Sequence, residues 1–185
     1  KLDLSNNQME TIGMLYVETL VVENLKELDL GGNKLAKIGC NEFKMLTKLT
    51  KLRLSFNHIE TIDEKAFETC FSLAELYLHD NQLTAIQSKT FKQLTVLTKL
   101  DLSNNLIDAI GANLLDTCSN LTELNLSYNK LTSIDGRTFE RLGKLTKLVL
   151  SDNRINKIER NLFANLKEIE VLDLSNIFIL DLHLI

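Results

Sequence analysis

Seven asparagines, Asn7, Asn33, Asn57, Asn81, Asn105, Asn129 and Asn153, recur every 24 residues after a first interval of 26. Their surroundings recur with them. Leu73, Leu76, Leu78, Asn81, Leu83, Ile86, Phe91 and Leu94 write the unit L-x-x-L-x-L-x-x-N-x-L-x-x-I-x-x-x-x-F-x-x-L without a gap. A fixed period of this length marks an array in which no unit buries its apolar face alone, so neighbours must stack into one continuous core. The repeated positions therefore belong to the fold, and function must be sought where the units differ.

Within each unit Leu100 and Leu102, and their equivalents, alternate with polar residues such as Lys99, Asp101 and Ser103, the period-2 pattern of a short strand with one buried face. Equivalent strands arrive in the same direction once per unit, so they pair in parallel and in register while the rest of the unit forms the return path. That path carries Phe43, Phe67, Phe91, Phe139 and Phe163, with Val17 and Leu115 at the same position in two units. The bulk of these side chains on the return side bends the sheet, which lines the inside of the curve. Ile12, Ile38, Ile62, Ile86, Ile110, Ile134 and Ile158 read as core. The repeated asparagine reads as a structural amide that donates and accepts at once, bridging one turn to the next.

A net charge of −4 with both signs interspersed gives no basic track for nucleic acid, and no apolar run reaches the ~18 residues of a membrane span. Cys70 and Cys118 fall at leucine positions two units apart, about 10 Å at the spacing of paired strands, too far for a disulfide. They read as buried thiols, and Cys40 as a lone surface or turn thiol. The chain opens at Lys1-Leu2-Asp3-Leu4, already inside a strand, and reads as a piece of a longer protein.

These residues resemble a leucine-rich repeat protein, and the phenylalanine-bearing 24-residue unit is similar to the type common in extracellular proteins, including Toll-like receptor ectodomains, variable lymphocyte receptors and secreted immune and matrix proteins. The resemblance implies an α/β repeat solenoid: a curved horseshoe with a parallel β-sheet on its concave face. Seven full repeats and a partial eighth make a single domain over residues 1–185, lacking its terminal caps. Two departures stand out. Extracellular members usually carry proline after the isoleucine, where this chain has Gly13, Gly39, Asp63, Gln87, Gly111, Asp135 and Glu159, and cysteine-rich caps are missing. In the eighth unit Ile177 takes the asparagine's place and an apolar run continues to Ile185, so this end reads as truncated or as the seam of a homodimer.

No catalytic motif is present, no catalytic residue is assigned and no cofactor is implied. His58 and His79, placed on adjacent strands near Asp80, sketch a metal site, but two histidines and a carboxylate on a solvent face are ordinary polar surface and no metal is assigned. At one outward position Lys1, Glu27, Lys51, Glu75, Lys99, Glu123 and Lys147 alternate in sign, a self-compensating ladder that serves register and solubility. The polar monotony breaks in the third and fourth repeats, where Arg53, Phe56, His58, Tyr77, His79 and Asp80 group, with Tyr128 two repeats further on. Phe56 stands where other units mostly carry glycine, asparagine or aspartate; it either folds down over its own turn or serves binding. Arginine and tyrosine dominate binding hot spots, so this cluster is the candidate ligand site. Asn120-Leu121-Thr122 and Asn125-Leu126-Ser127 are glycosylation sequons, Asn120 being the better acceptor because a glycan on Asn125 would cover the sheet.

The function expected is non-enzymatic recognition of a protein ligand or co-receptor, or of a glycan or lipid conjugate, on the concave face. The resemblance implies innate immunity or adhesion outside the cell. The alternative is a cytosolic interaction scaffold, or the regulatory arm of a larger enzyme, which the free thiols favour.

Overall fold

The computed structural model describes residues 1–13 and 22–179. Ten short strands lie within them: β1 (Leu2–Asp3), β2 (Glu27–Asp29), β3 (Lys37–Ile38), β4 (Lys51–Arg53), β5 (Thr61–Ile62), β6 (Glu75–Tyr77), β7 (Lys99–Asp101), β8 (Glu123–Asn125), β9 (Lys147–Val149) and β10 (Val171–Asp173). Eight of them form one parallel sheet in the order β1-β2-β4-β6-β7-β8-β9-β10, and β3 pairs with β5 in a second, two-stranded ladder. Register follows the repeat, with Leu52 opposite Leu76 and Leu76 opposite Leu100. The longer first interval also closes in register, Leu2 meeting Leu28.

In the large sheet the central leucine of each strand from β2 to β9 points into the core and is buried, while its two neighbours face the concave side. The return path is made of tight turns rather than α-helix. Leu46 N–H donates to Phe43 C=O, and Cys70, Leu94, Cys118, Leu142 and Leu166 donate likewise to the residue three before them. Such i to i−3 closures fit a return of few residues, where an α-helical turn has no room to propagate. The one complete helical element among the described residues is a three-residue 3-10 turn, Val22–Asn24, and among them no helix is long and apolar enough to cross a membrane.

Phenylalanine rings stack along the return side, Phe43 on Phe67 at 5.8 Å, Phe67 on Phe91 at 6.2 Å and Phe139 on Phe163 at 6.3 Å between centroids. Buried Leu115 interrupts the spine as the alignment predicts; the Val17 position lies outside the described residues. Ile86 departs from the expectation: it is only partly buried, and the β3-β5 ladder ends one repeat before it.

Each internal asparagine ties its own turn to the one before it. Asn105 Nδ2 donates to Leu78 C=O at 3.0 Å and to Leu102 and Ser103 C=O at 3.1 Å, while its Oδ1 accepts from Leu83 N–H at 3.0 Å. Asn7, in the first described turn, donates to Leu4 and Ser5 and is exposed. A second ladder escaped the sequence reading: the hydroxyls of Thr50, Thr98, Thr122 and Thr146 each donate at 3.0 Å to the carbonyl 24 residues earlier, closing the sheet's leading edge.

Cys70 and Cys118 are buried free thiols, as expected, and burial pushes their pKa values up to about 12 and about 11; Cys40 is exposed and free. At the far end β10 is weakly covered: Val171 and Leu172 are exposed, Ile177 is half-buried and Phe178 is 67% exposed. The rest of the apolar run, Leu180 to Ile185, on which the truncation and homodimer readings partly rest, lies outside the described residues.

Candidate functional site

Arg53 and Tyr77 are register partners on β4 and β6, so their side chains rise side by side from the concave face. Tyr77 is anchored at its tip, where the hydroxyl donates to Glu75 Oε2 at 2.7 Å. Two cations cover the ring face turned toward β4: Lys51 Nζ lies 5.4 Å and Arg53 Cζ 5.5 Å from its centroid. Arg53 in turn reaches Asp29 at 3.7 Å, and Lys51 reaches Glu75 at 2.5 Å. Partial burial and the bond to Glu75 push the Tyr77 phenol up to about 12, so it stays a neutral donor at any physiological pH. Burial works to raise the Glu75 carboxyl, but the Lys51 ammonium and the Tyr77 hydroxyl together outweigh it and hold the group below its usual range. The result is a preorganised cation and aromatic cluster on rigid strands, the type of surface that loses little entropy on binding.

The alternating ladder closes only in pairs. Lys51 meets Glu75, and Lys99 meets Glu123 at 2.7 Å, whereas Lys1 turns to Asp3 on its own strand. A lysine has one ammonium to place, and once it leans to one neighbour the other side of the ladder opens.

Phe56, Asp80 and Tyr128 share a position of the repeat, the residue just before the asparagine, on the edge where the chain leaves the strand. All eight residues at this position have positive φ: Asn6, Gly32, Phe56, Asp80, Asn104, Tyr128, Asp152 and Asn176. Glycine, asparagine and aspartate tolerate this left-handed conformation; large side chains adopt it at a cost. Gly32 is there for a second reason, since a Cβ would run into the Asn6 amide. Phe56 and Tyr128 accept the strain and are nonetheless 61% and 59% exposed, so burial does not offset it. Phe56 does not fold down over its own turn. Its ring meets the His79 imidazole of the next repeat edge-on, 5.1 Å between centroids at 88°.

His79 Nδ1 lies 2.8 Å from Asp80 Oδ2, and Asp80 Oδ1 accepts from the Asn104 amide, so these side chains are braced. His58 stands apart. The expectation that it and His79 project from adjacent strands is corrected: β4 ends at Arg53 and β6 at Tyr77, so His79 lies just past its strand and His58 follows Asn57 on the exposed turn. Counting along the repeat aligns it with Gln82, and His79 with Ser55. Of the two sequons, Asn120 spends its amide on the array, with Nδ2 donating to Thr95 C=O at 2.9 Å and Oδ1 accepting from Lys144 at 2.8 Å. Asn125 sits on β8, its Oδ1 accepting from Ser127 N–H and Oγ.

Known proteins share this design. The BspA type Leucine rich repeat region matches residues 36–170 in six copies, and the Leucine Rich Repeat matches residues 24–46. Toll-like receptor 3 of Bos taurus is 38% identical over 66 residues, 36% of this chain and 7% of the receptor. Tsukushi of Gallus gallus is 38% identical over 68 residues, 37% of this chain and 18% of Tsukushi. Among solved structures, a chain of the TLR13-ssRNA13 complex superposes with a TM-score of 0.76 at 31% identity, covering 80% of this chain and 21% of that one. A leucine-rich repeat protein of Leptospira interrogans superposes at 0.78 with 28% identity, covering 95% and 48%. The chain thus spans less than half the length of each of these proteins. With its asparagine-tied turns, parallel sheet and six matched copies, it belongs to the leucine-rich repeat family of the BspA type.

Proposed function

We propose that the chain is a non-enzymatic recognition module that takes a protein ligand on its concave face. Arg53 and Tyr77 form the anchor, Phe56, His79, Asp80 and Tyr128 the adjoining rim, and His58 an outlying contact. The observation that carries this reading is the Tyr77 ring, held by Glu75 and flanked by two cations without being buried in the core. A protein fits this face better than a polyphosphate chain does, because acids outnumber bases along the inward strand positions. A glycan or lipid conjugate is the lesser alternative. Similarity to Toll-like receptor 3 and Tsukushi, and the phenylalanine-bearing unit, support a role in innate immunity or adhesion outside the cell. Three free thiols favour the second reading, a cytosolic scaffold or an enzyme's regulatory arm.

The test is an alanine scan of both faces against a partner captured on the immobilised chain. Tyr77→Ala and Arg53→Ala should each weaken binding by at least ~2 kcal/mol without unfolding the array, since both rise from the sheet rather than enter the core. Lys65→Ala and Arg137→Ala on the return side should leave it unchanged. Binding that tolerates the first pair and fails with the second would overturn the proposal.

A further inference from the structure

Tyr77 has two faces, and only one is covered. Toward β4 the sequence of groups runs Asp29 carboxylate, Arg53 guanidinium, Tyr77 ring. Toward β7 the register partner of Tyr77 is Asp101, and above β7 and β8 opens a depression of about 130 Å³ walled on one side by Tyr77 and lined further by Lys99, Asp101, Glu123, Asn125, Lys147 and Val149. The second side differs in spacing: Asp29 stands two strands from the ring with Arg53 between them, whereas Asp101 stands one strand away and the space above it is open.

The charges at this slot favour a cation. Asp101 folds back on its own turn, its Oδ1 accepting from Ser103 N–H at 3.0 Å and Ser103 Oγ at 2.6 Å, and among the described residues its Oδ2 has no protein partner. Lys99 is neutralised by Glu123. Lys147 lies two strands beyond Asp101, about 10 Å at ~4.8 Å per strand. Of the two charges that line the depression without an ion pair among the described residues, Asp101 and Lys147, the carboxylate is the one on the strand next to the ring. A planar guanidinium matches both walls at once, stacking on the ring and donating to the carboxylate, whereas an ammonium satisfies only one of them well.

Resting on the concave-face reading above, we propose that the slot between Tyr77 and Asp101 receives an arginine side chain of the protein ligand, stacked on the free face of Tyr77 and paired with Asp101 Oδ2. The peptide Ac-Gly-Arg-Gly-NH2, titrated into the full chain and followed by NMR, should bind saturably with its side-chain methylenes shifted upfield by the ring. Asp101→Asn and Tyr77→Leu should each weaken it about threefold or more, and the lysine and glutamate analogues should bind more weakly than the arginine peptide. Arg137→Ala, on the return side, should have no effect. Asp101→Asn keeps the turn, because β8 carries that same arrangement natively in Asn125 and Ser127. No saturation, equal binding by Asp101→Asn, or tighter binding of the glutamate peptide would overturn the slot. If the peptide fails while Tyr77→Ala still weakens the captured partner, the slot falls and the concave-face reading stands. Partner binding indifferent to both Tyr77 and Arg53 overturns both.

Discussion

Replacing Asn105 by alanine isolates what the repeated asparagine contributes. Its Nδ2 bonds go to three carbonyls that each keep another donor: Leu78 C=O still receives Asn81, Leu102 C=O still receives Asn129, and Ser103 C=O still receives Asp80 N–H. These losses are partial. The Leu83 N–H is different, since its acceptor is Asn105 Oδ1 in a buried setting and nothing replaces it. One orphaned buried donor costs ~1–3 kcal/mol and the shared bonds add about 1 more, so Asn105→Ala should lose about 2–4 kcal/mol. Asn7→Ala removes the same amide at the same repeat position, but no N–H depends on Asn7 and it is exposed, so its loss should stay below ~1 kcal/mol. Urea denaturation followed by circular dichroism, with unchanged m, measures both. Equal losses would mean that the asparagine acts within its own turn, and that its bridge between repeats carries no energy.

Phe91→Ala, in the stacked spine, should cost ~3–5 kcal/mol, against less than ~1 kcal/mol for Lys99→Ala on the exposed ladder, by the same denaturation assay. Phe56→Asn should raise stability by up to ~1 kcal/mol by relieving the left-handed strain, while weakening partner binding; a loss of stability would show that the His79 contact outweighs that strain. At pH 8 the thiols of Cys70 and Cys118 stay protonated, because their raised pKa values lie well above it, as well as being buried. Ellman's reagent should therefore label only Cys40 in the folded chain and all three cysteines in denaturant.

The repeat made most of the fold legible before any coordinates. Leu76, Asn81, Phe91 and their equivalents each recur at one spacing, so strand, turn and return followed from a single period. The turns of the return path and the threonine hydroxyl ladder did not follow, because Thr50 and Thr98 show their role only once the carbonyl 24 residues earlier is seen to lie within reach. Of the candidate site, the pairing of Arg53 with Tyr77 was readable from register alone. Phe56 was visible as an anomaly at a position of small residues, but its strain is a property of φ that composition does not carry. His58 and His79 fall beyond the strands because each strand is only three residues long, and the alternating pattern does not mark where it stops. The free face of Tyr77 was invisible, since it depends on which side Lys51 and Arg53 lean.

Hydroxyl-radical footprinting of the chain with and without its captured partner decides whether recognition uses the concave face and its trailing rim. Phe56, Tyr77, His79 and Tyr128 should lose reactivity on binding. Met45 and Phe71, exposed on the approach to β4 and β6, should react as before. Protection of Met45 and Phe71 with undiminished labelling of Tyr77 and Phe56 would contradict the claim and place the interface on the opposite edge.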